Sequence, residues 1–194
     1  MATIEEIKQL REETGVSVTK CKEALDESNG DFEKAKDVLR KLGNTLASKR
    51  TDKETGAGLI HTYLHPNKRV GVMLELRCET DFVANSNDFE NLAHELCLQI
   101  AAMKPLFVSE EEIPSDILEK EKAIYLEQAK QSGKPENILK GIVDGKLNKY
   151  KESSCLISQP CIKDDKKKIK DFIDEVVAKI GEKIIIKQFT RYEI

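Results

Sequence analysis

The chain has 194 residues, of which 35% are charged and 5% aromatic, with no tryptophan and a formal net charge of -3. That length suits one sizeable core plus a smaller unit, and a salt-rich surface without a strong overall sign argues against a protein built to coat nucleic acid. The opening MATIEEIKQL has neither the basic start nor the apolar core of a signal peptide, and about 18 apolar residues nowhere run together, so a cytoplasmic protein with no membrane partner is expected.

Residues 1–43 read as three short helices. Thr3-x-x-Glu6 is a capping box, Ile4, Ile7 and Leu10 follow at helical spacing, and Gly15 closes the first helix. The second opens near Ser17 and places Val18, Cys21 and Leu25 on one side. The third starts at Asp31 as N-cap, carries Phe32, Ala35, Leu39 and Leu42, and is expected to stop at Gly43. The stretch 44–58 loses periodicity and gathers small and charged residues, so it reads as a linker between the bundle and a second domain over 59–194.

That second domain begins with LIHTYLH, a turn at Pro66–Arg69 and VGVMLELRC, the pattern of a β-hairpin. Phe89, Leu92, Ala93, Leu96, Ile100 and Met103 then recur on one helical face over 86–103. Ser109-x-x-Glu112 is a candidate cap for a charge-laced helix to Gly133, and Pro135 is placed to open another with Ile138, Leu139 and Ile142. CLIS at 155–158 reads as a strand or a loop. A helix over about 165–180 carries Ile169, Phe172, Ile173, Val176 and Ile180, and the terminal KIIIKQFTRYEI reads as a third strand. The fold class expected is α+β, a three-helix bundle plus a small antiparallel sheet covered by helices.

Motifs for covalent chemistry, cofactors or metals are not evident. GIVDGKL at 141–147 is one residue short of a phosphate loop and has leucine after Lys146, so it reads as a helix-breaking turn. His61 and His65 share a strand face and could join His94, yet no carboxylate or thiol stands at ligand spacing to complete a site. The five cysteines are scattered without a C-x-x-C, which suits reduced structural thiols. The basic run Lys163–Lys168 lacks aromatics and reads as the solvated first turn of a helix, with no direct nucleic-acid contact.

One residue stands out. Phe82, in CETDFVANSNDF, sits where the hairpin has ended and the next helix has yet to begin. Were a helix to begin at Thr80, then Phe82, Phe89, Leu96 and Met103 would lie seven apart on one face, and Phe82 would be core or a staple. Asn85 and Ser86 break that stripe beside it, which fits a turn that lifts Asp81 and Phe82 off the sheet as a docking anchor. Local sequence supports both readings equally.

Thr80-Asp81-Phe82-Val83-Ala84-Asn85 resembles the TDFVA motif of the bacterial elongation factor Ts family. Leu10-Arg11-x-x-Thr14-Gly15, Cys21-Lys22-x-Ala24-Leu25 and Gly30-Asp31 look like that family's amino-terminal module. SGKP at 132–135, QP at 159–160 with KD at 163–164, and FTRYE at 189–193 are similar to its later landmarks. Two departures are Ser17-Val18-Thr19-Lys20 in place of a Gly-Met-Met-Asp-like stretch, and Cys161 where phenylalanine is usual. The resemblance, which is to the short form, implies a guanine-nucleotide exchange factor for elongation factor Tu, not an enzyme of covalent chemistry. It implies that the bundle is like a ubiquitin-associated domain and that Thr80, Asp81, Phe82 and Val83 form a wedge that displaces Mg²⁺ from the GTPase. Arg11 and Val18 would make a secondary contact, and the single core would be completed as a homodimer. Read alone, residues 1–43 also suit an adaptor for a ubiquitin-like or nucleic-acid partner, and a third class is a thiol enzyme using Cys78 or Cys97.

Overall fold

A computed structural model describes residues 2–50, 52–131 and 136–194. The fold is α+β, and the chain divides into two compact units: one runs to Leu98 and resumes at Lys170–Ile194, the other is Gln99–Ile169. SGKP at 132–135, including the expected helix start at Pro135, lies outside the described residues.

The first unit opens with helices α1 (Ile4–Thr14), α2 (Val18–Glu27) and α3 (Phe32–Lys49). The capping box forms as expected: Thr3 Oγ1 accepts the Glu6 N–H at 3.2 Å, while the Glu6 carboxylate accepts the Thr3 N–H at 2.7 Å. Gly15 ends α1 at φ 69°, donating its N–H to Arg11. Leu10, Val16, Cys21, Ala24, Leu25, Ala35 and Leu39 form the bundle's core, and Ala178 from far along the chain completes it. A bundle this small gains from the extra helix, because three helices alone enclose little apolar surface.

Gly43 does not stop α3, which runs on to Lys49 through the first part of the stretch read as a linker. Its lack of a side chain serves packing instead. A Cβ there would lie 2.3 Å from the Asp174 carbonyl oxygen and 3.1 Å from the Ala178 Cβ, so glycine lets α3 press against the backbone of helix α8 (Ile169–Ile180). Helix α8 begins at Ile169, later than the expected 165. The preceding basic run is strand β4 (Asp164–Lys168), not a first helical turn.

Strands β1 (Ala57–Leu64), β2 (Val70–Cys78) and β5 (Ile185–Glu193) form an antiparallel sheet in the order β1-β2-β5. Alternation puts Val72, Leu74 and Leu76 on the buried face, as are Phe89, Leu92 and Leu96 of helix α5 (Asn87–Met103). The opposite face carries Ile60, Leu64, Met73 and Tyr192, all exposed. Beyond the end of α3, Arg50 Nη1 donates to both carboxylate oxygens of Glu79, at 2.7 and 2.8 Å, and the Lys183 N–H reaches the same carboxylate at 2.7 Å.

The second unit holds helices α6 (Ser115–Gln131) and α7 (Glu136–Ser154), which pack through Ala129, Leu139 and Val143. GIVDGKL lies inside α7 and is not a turn; nothing stands within 4 Å of where a Cβ would sit on Gly141 or Gly145. The candidate cap at Ser109 makes no side-chain capping bond: residues 110–112 form one 3₁₀ turn, and the Glu112 carboxylate accepts the Val108 N–H at 2.9 Å. CLIS is neither a full strand nor an open loop, since Cys155 bridges Phe107 and Leu156–Ser158 is a 3₁₀ turn. A two-residue strand β3 (Pro160–Cys161) pairs with β4. Two buried amides organise this unit. Gln99 Nε2 donates to Gln159 Oε1 (3.1 Å) and the Pro160 carbonyl (3.0 Å), its Oε1 accepts from Ile162, and Gln159 Nε2 reaches the Ser153 carbonyl at 2.6 Å.

Three outcomes are expected. Gly43→Ala should lower stability in urea unfolding by about 1–3 kcal/mol through overpacking, although alanine favours a helix by about 1 kcal/mol. Gly141→Ala and Gly145→Ala, with open space around them, should each raise it by about 0.5–1 kcal/mol. Glu79, with its side chain 15% exposed, is held below the ordinary glutamate pKa; burial pushes it up, but the Lys183 N–H and Arg50 outweigh that. A depressed folded pKa stabilises above the unfolded value and is lost as pH falls through the folded one. Glu79→Gln should therefore cost about 1–2 kcal/mol at pH 7, with the difference from wild type shrinking below about pH 4.3.

Candidate functional site

The chain leaves β2 at Cys78 and turns through Glu79 and Thr80 into helix α4 (Asp81–Ala84), which lies against β1 and β2. Thr80 is its N-cap, extended at φ −129° and ψ 153°, with its hydroxyl accepting the Val83 N–H at 3.4 Å. The Thr80 carbonyl accepts the Ala84 N–H at 3.1 Å and the Cys78 thiol at 3.2 Å. On the far side, Asn85 returns its backbone N–H (3.1 Å) and side-chain amide (2.7 Å) to the Asp81 carbonyl. Ser86 Oγ then donates to the Val83 carbonyl at 2.7 Å.

Val83 and Ala84 are buried and seat the turn, while Phe82 is 87% exposed and Asp81 is exposed beside it. That excludes the reading in which Phe82 is core. Of the four residues seven apart, Phe89 and Leu96 are fully buried and Phe82 and Met103 are not. A phenylalanine left in water forgoes about 1.5–3 kcal/mol of burial, and it does so on a turn whose Thr80, Asp81 and Val83 carbonyls are engaged by neighbours.

Four residues distant in sequence hold the turn's root. The Glu182 carboxylate accepts the Thr80 N–H at 3.0 Å and the Thr80 hydroxyl at 2.7 Å. Glu79 takes Arg50 and the Lys183 N–H as described, and Lys179 Nζ pairs with Asp88 at the start of α5 at 2.5 Å. Lys179 reaches Asp88 along the space above Gly15, where a Cβ would meet its Cε at 2.4 Å. Sequence reading missed Glu79, Lys179 and Glu182, since Glu182 lies 102 positions from Thr80 and no local pattern connects them.

The remaining candidates fall elsewhere. Arg11 is exposed on α1 and Val18 is 48% exposed at the start of α2. Among the described residues no hydrogen bond or ion pair joins either to Thr80–Val83. His61 and His94 do meet, with ring nitrogens 3.4 Å apart, and Tyr63 links them to His65 through a 2.9 Å hydrogen bond and edge contacts. Burial, then His94, lowers the His61 pKa. Among the described residues no three His, Cys, Asp or Glu side chains gather as a metal site would require. The two candidate thiols are held protonated: burial, with Glu182 adding to it, pushes Cys78 up to about 11, and burial takes Cys97 up to about 12. Neither suits a thiolate nucleophile. No helix of the described residues is long and apolar enough to cross a membrane.

The profile of the family described as "Elongation factor TS" matches residues 3–194. Elongation factor Ts of Thermotoga sp. (strain RQ2) is 53% identical over 188 residues, 97% of this chain and 94% of that protein. The protein of the same name from Thermosipho melanesiensis is 47% identical over 97% of this chain and 96% of its own length. That from Moorella thermoacetica is 46% identical over 100% of this chain and 96% of its own length. A match of this extent, over a fold that presents an exposed aromatic in the motif TDFVA, places the chain in the elongation factor Ts family of translation elongation factors.

Proposed function

We propose that this protein is the guanine-nucleotide exchange factor for elongation factor Tu in the bacterial cytoplasm, and that the Thr80–Val83 turn performs the exchange. The observation that carries the reading is Phe82, 87% exposed at the tip of a short helix whose root is tied down on both sides.

A GTPase holds Mg²⁺ and phosphates in a tight, pre-formed shell. An aromatic ring that fits only when the elements of that shell separate binds the open form better than the closed one, and Asp81 beside it brings a negative charge toward the metal and phosphate region. Nucleotide and wedge then oppose each other. By linkage, the factor by which the wedge weakens nucleotide equals the factor by which nucleotide weakens the wedge, so release is accelerated without a choice between GDP and GTP. No covalent bond is made or broken. Thr80 caps the turn and Val83 seats it, leaving Asp81 and Phe82 as the contacting pair. Arg11 and the exposed Val18 on residues 1–43 supply a second, weaker contact that lengthens the encounter.

The homodimer reading is supported by the outer face of the sheet. Ile60, Leu64, Met73 and Tyr192 leave an apolar patch facing away from the buried face, and a second copy of the same sheet would cover it in an isologous pairing.

Phe82→Ala should weaken binding to elongation factor Tu by about 2–4 kcal/mol and slow release of fluorescent GDP correspondingly; stimulation equal to wild type would remove the wedge from the mechanism. Removing residues 1–43 should weaken stimulation without abolishing it, whereas complete loss would favour the bundle as the active element. Met73→Glu should shift the mass in analytical ultracentrifugation from two copies to one, and an unchanged mass would rule out pairing through this face.

A further inference from the structure

We infer that Glu182 is a positioning residue for exchange, one that never need touch the GTPase and acts by fixing the root of the Phe82 turn; this rests on the wedge reading above. A helix of four residues closes a single hydrogen-bonded turn and has no stability of its own. Its direction is set by whatever fixes its first residue.

For α4 the residue that leads into the first is the N-cap Thr80, and Glu182 takes both of its donors, N–H at 3.0 Å and hydroxyl at 2.7 Å, in a two-pronged grip. The arrangement leaves the hydroxyl lone pairs for the Val83 N–H. Ionised acceptors make hydrogen bonds roughly twice as strong as neutral ones, and two bonds from one carboxylate remove rotation about the Thr80 backbone as well as translation. The next residue along, Lys183, gives its N–H to Glu79 at 2.7 Å, and one turn earlier Lys179 pairs with Asp88. Three anchors from Lys179–Lys183 therefore bracket residues 79–88, with Phe82 between them and carrying none of the load. Free of Glu182, Thr80 could still cap α4, but the helix as a whole would rock about Glu79. The ring would then spend only part of its time in the direction the open GTPase accepts, and apparent affinity falls by that fraction.

The test is a double-mutant cycle read by fluorescent GDP release from elongation factor Tu over a range of factor concentrations, with circular dichroism confirming that each variant is folded at the assay temperature. Glu182→Ala should lower kcat/KM for exchange by about 5- to 20-fold, with Glu182→Gln, which keeps one acceptor, in between. Thr80→Ser, which retains both donors, should stay within about 2-fold of wild type, and Thr80→Val should resemble Glu182→Ala. Placed in a Phe82→Ala background, Glu182→Ala should have no further effect, because there is no ring left to aim. A full additional loss in that background would show Glu182 acting on its own and overturn the positioning role, as would wild-type exchange by Glu182→Ala alone. The wedge reading fails separately: it falls if Phe82→Ala alone exchanges like wild type, whatever Glu182→Ala does.

Discussion

A single helical turn cannot hold its own shape in water, and the candidate site of this protein is built on one. The constraint that makes it usable is the grip of Glu182 on Thr80, a carboxylate from just beyond α8 that takes the only two donors of the residue capping α4. With that root fixed, Val83 and Ala84 can be buried while Phe82, between them and Asp81, is turned outward. An exposed aromatic on a floppy loop would mostly collapse onto nearby apolar surface; on a fixed root it is presented.

Helix α8 is the member through which this arrangement is connected to the bundle. Its Ala178 fills the core of α1–α3, the carbonyl of Asp174 receives Gly43 of α3, and Lys179 passes over Gly15 on its way to Asp88. Two glycines thus serve the approach of one helix: Gly15 by clearing a side-chain path, Gly43 by clearing backbone. Asp174 itself is buried, and desolvation raises its carboxyl pKa.

The sequence carried most of the elements and little of what joins them. The capping box at Thr3, the left-handed Gly15, the hairpin and the stripe Phe89–Leu92–Leu96 follow from short-range rules that act within one turn or one strand pair, and each is where those rules put it. Gly43 is ambiguous in sequence because a glycine at the end of an apolar stripe satisfies the same local pattern whether it stops a helix or admits a neighbour. Lys163–Lys168 is ambiguous likewise, because charge alone does not distinguish a helical turn from an exposed strand, and β4 is specified by its pairing with β3. At the site, TDFVA marked the turn, and breaks at Asn85 and Ser86 hinted that Phe82 leaves the core. Glu182 had no such signal, since its role exists only once β5 has returned alongside β2.

The amide pair of the second unit has a different kind of consequence. Gln99 and Gln159 are both buried, and between them they engage the Pro160, Ser153 and Ile162 backbone as well as each other. Leucines in their place would fill similar space and tolerate a helix sliding or rotating by a residue. Amides do not, because a slipped register would strand several directional groups in a dry interior. The pair therefore works as a lock with one key: it adds less to the strength of this unit than to the uniqueness of its fold, and segments that meet there must arrive together.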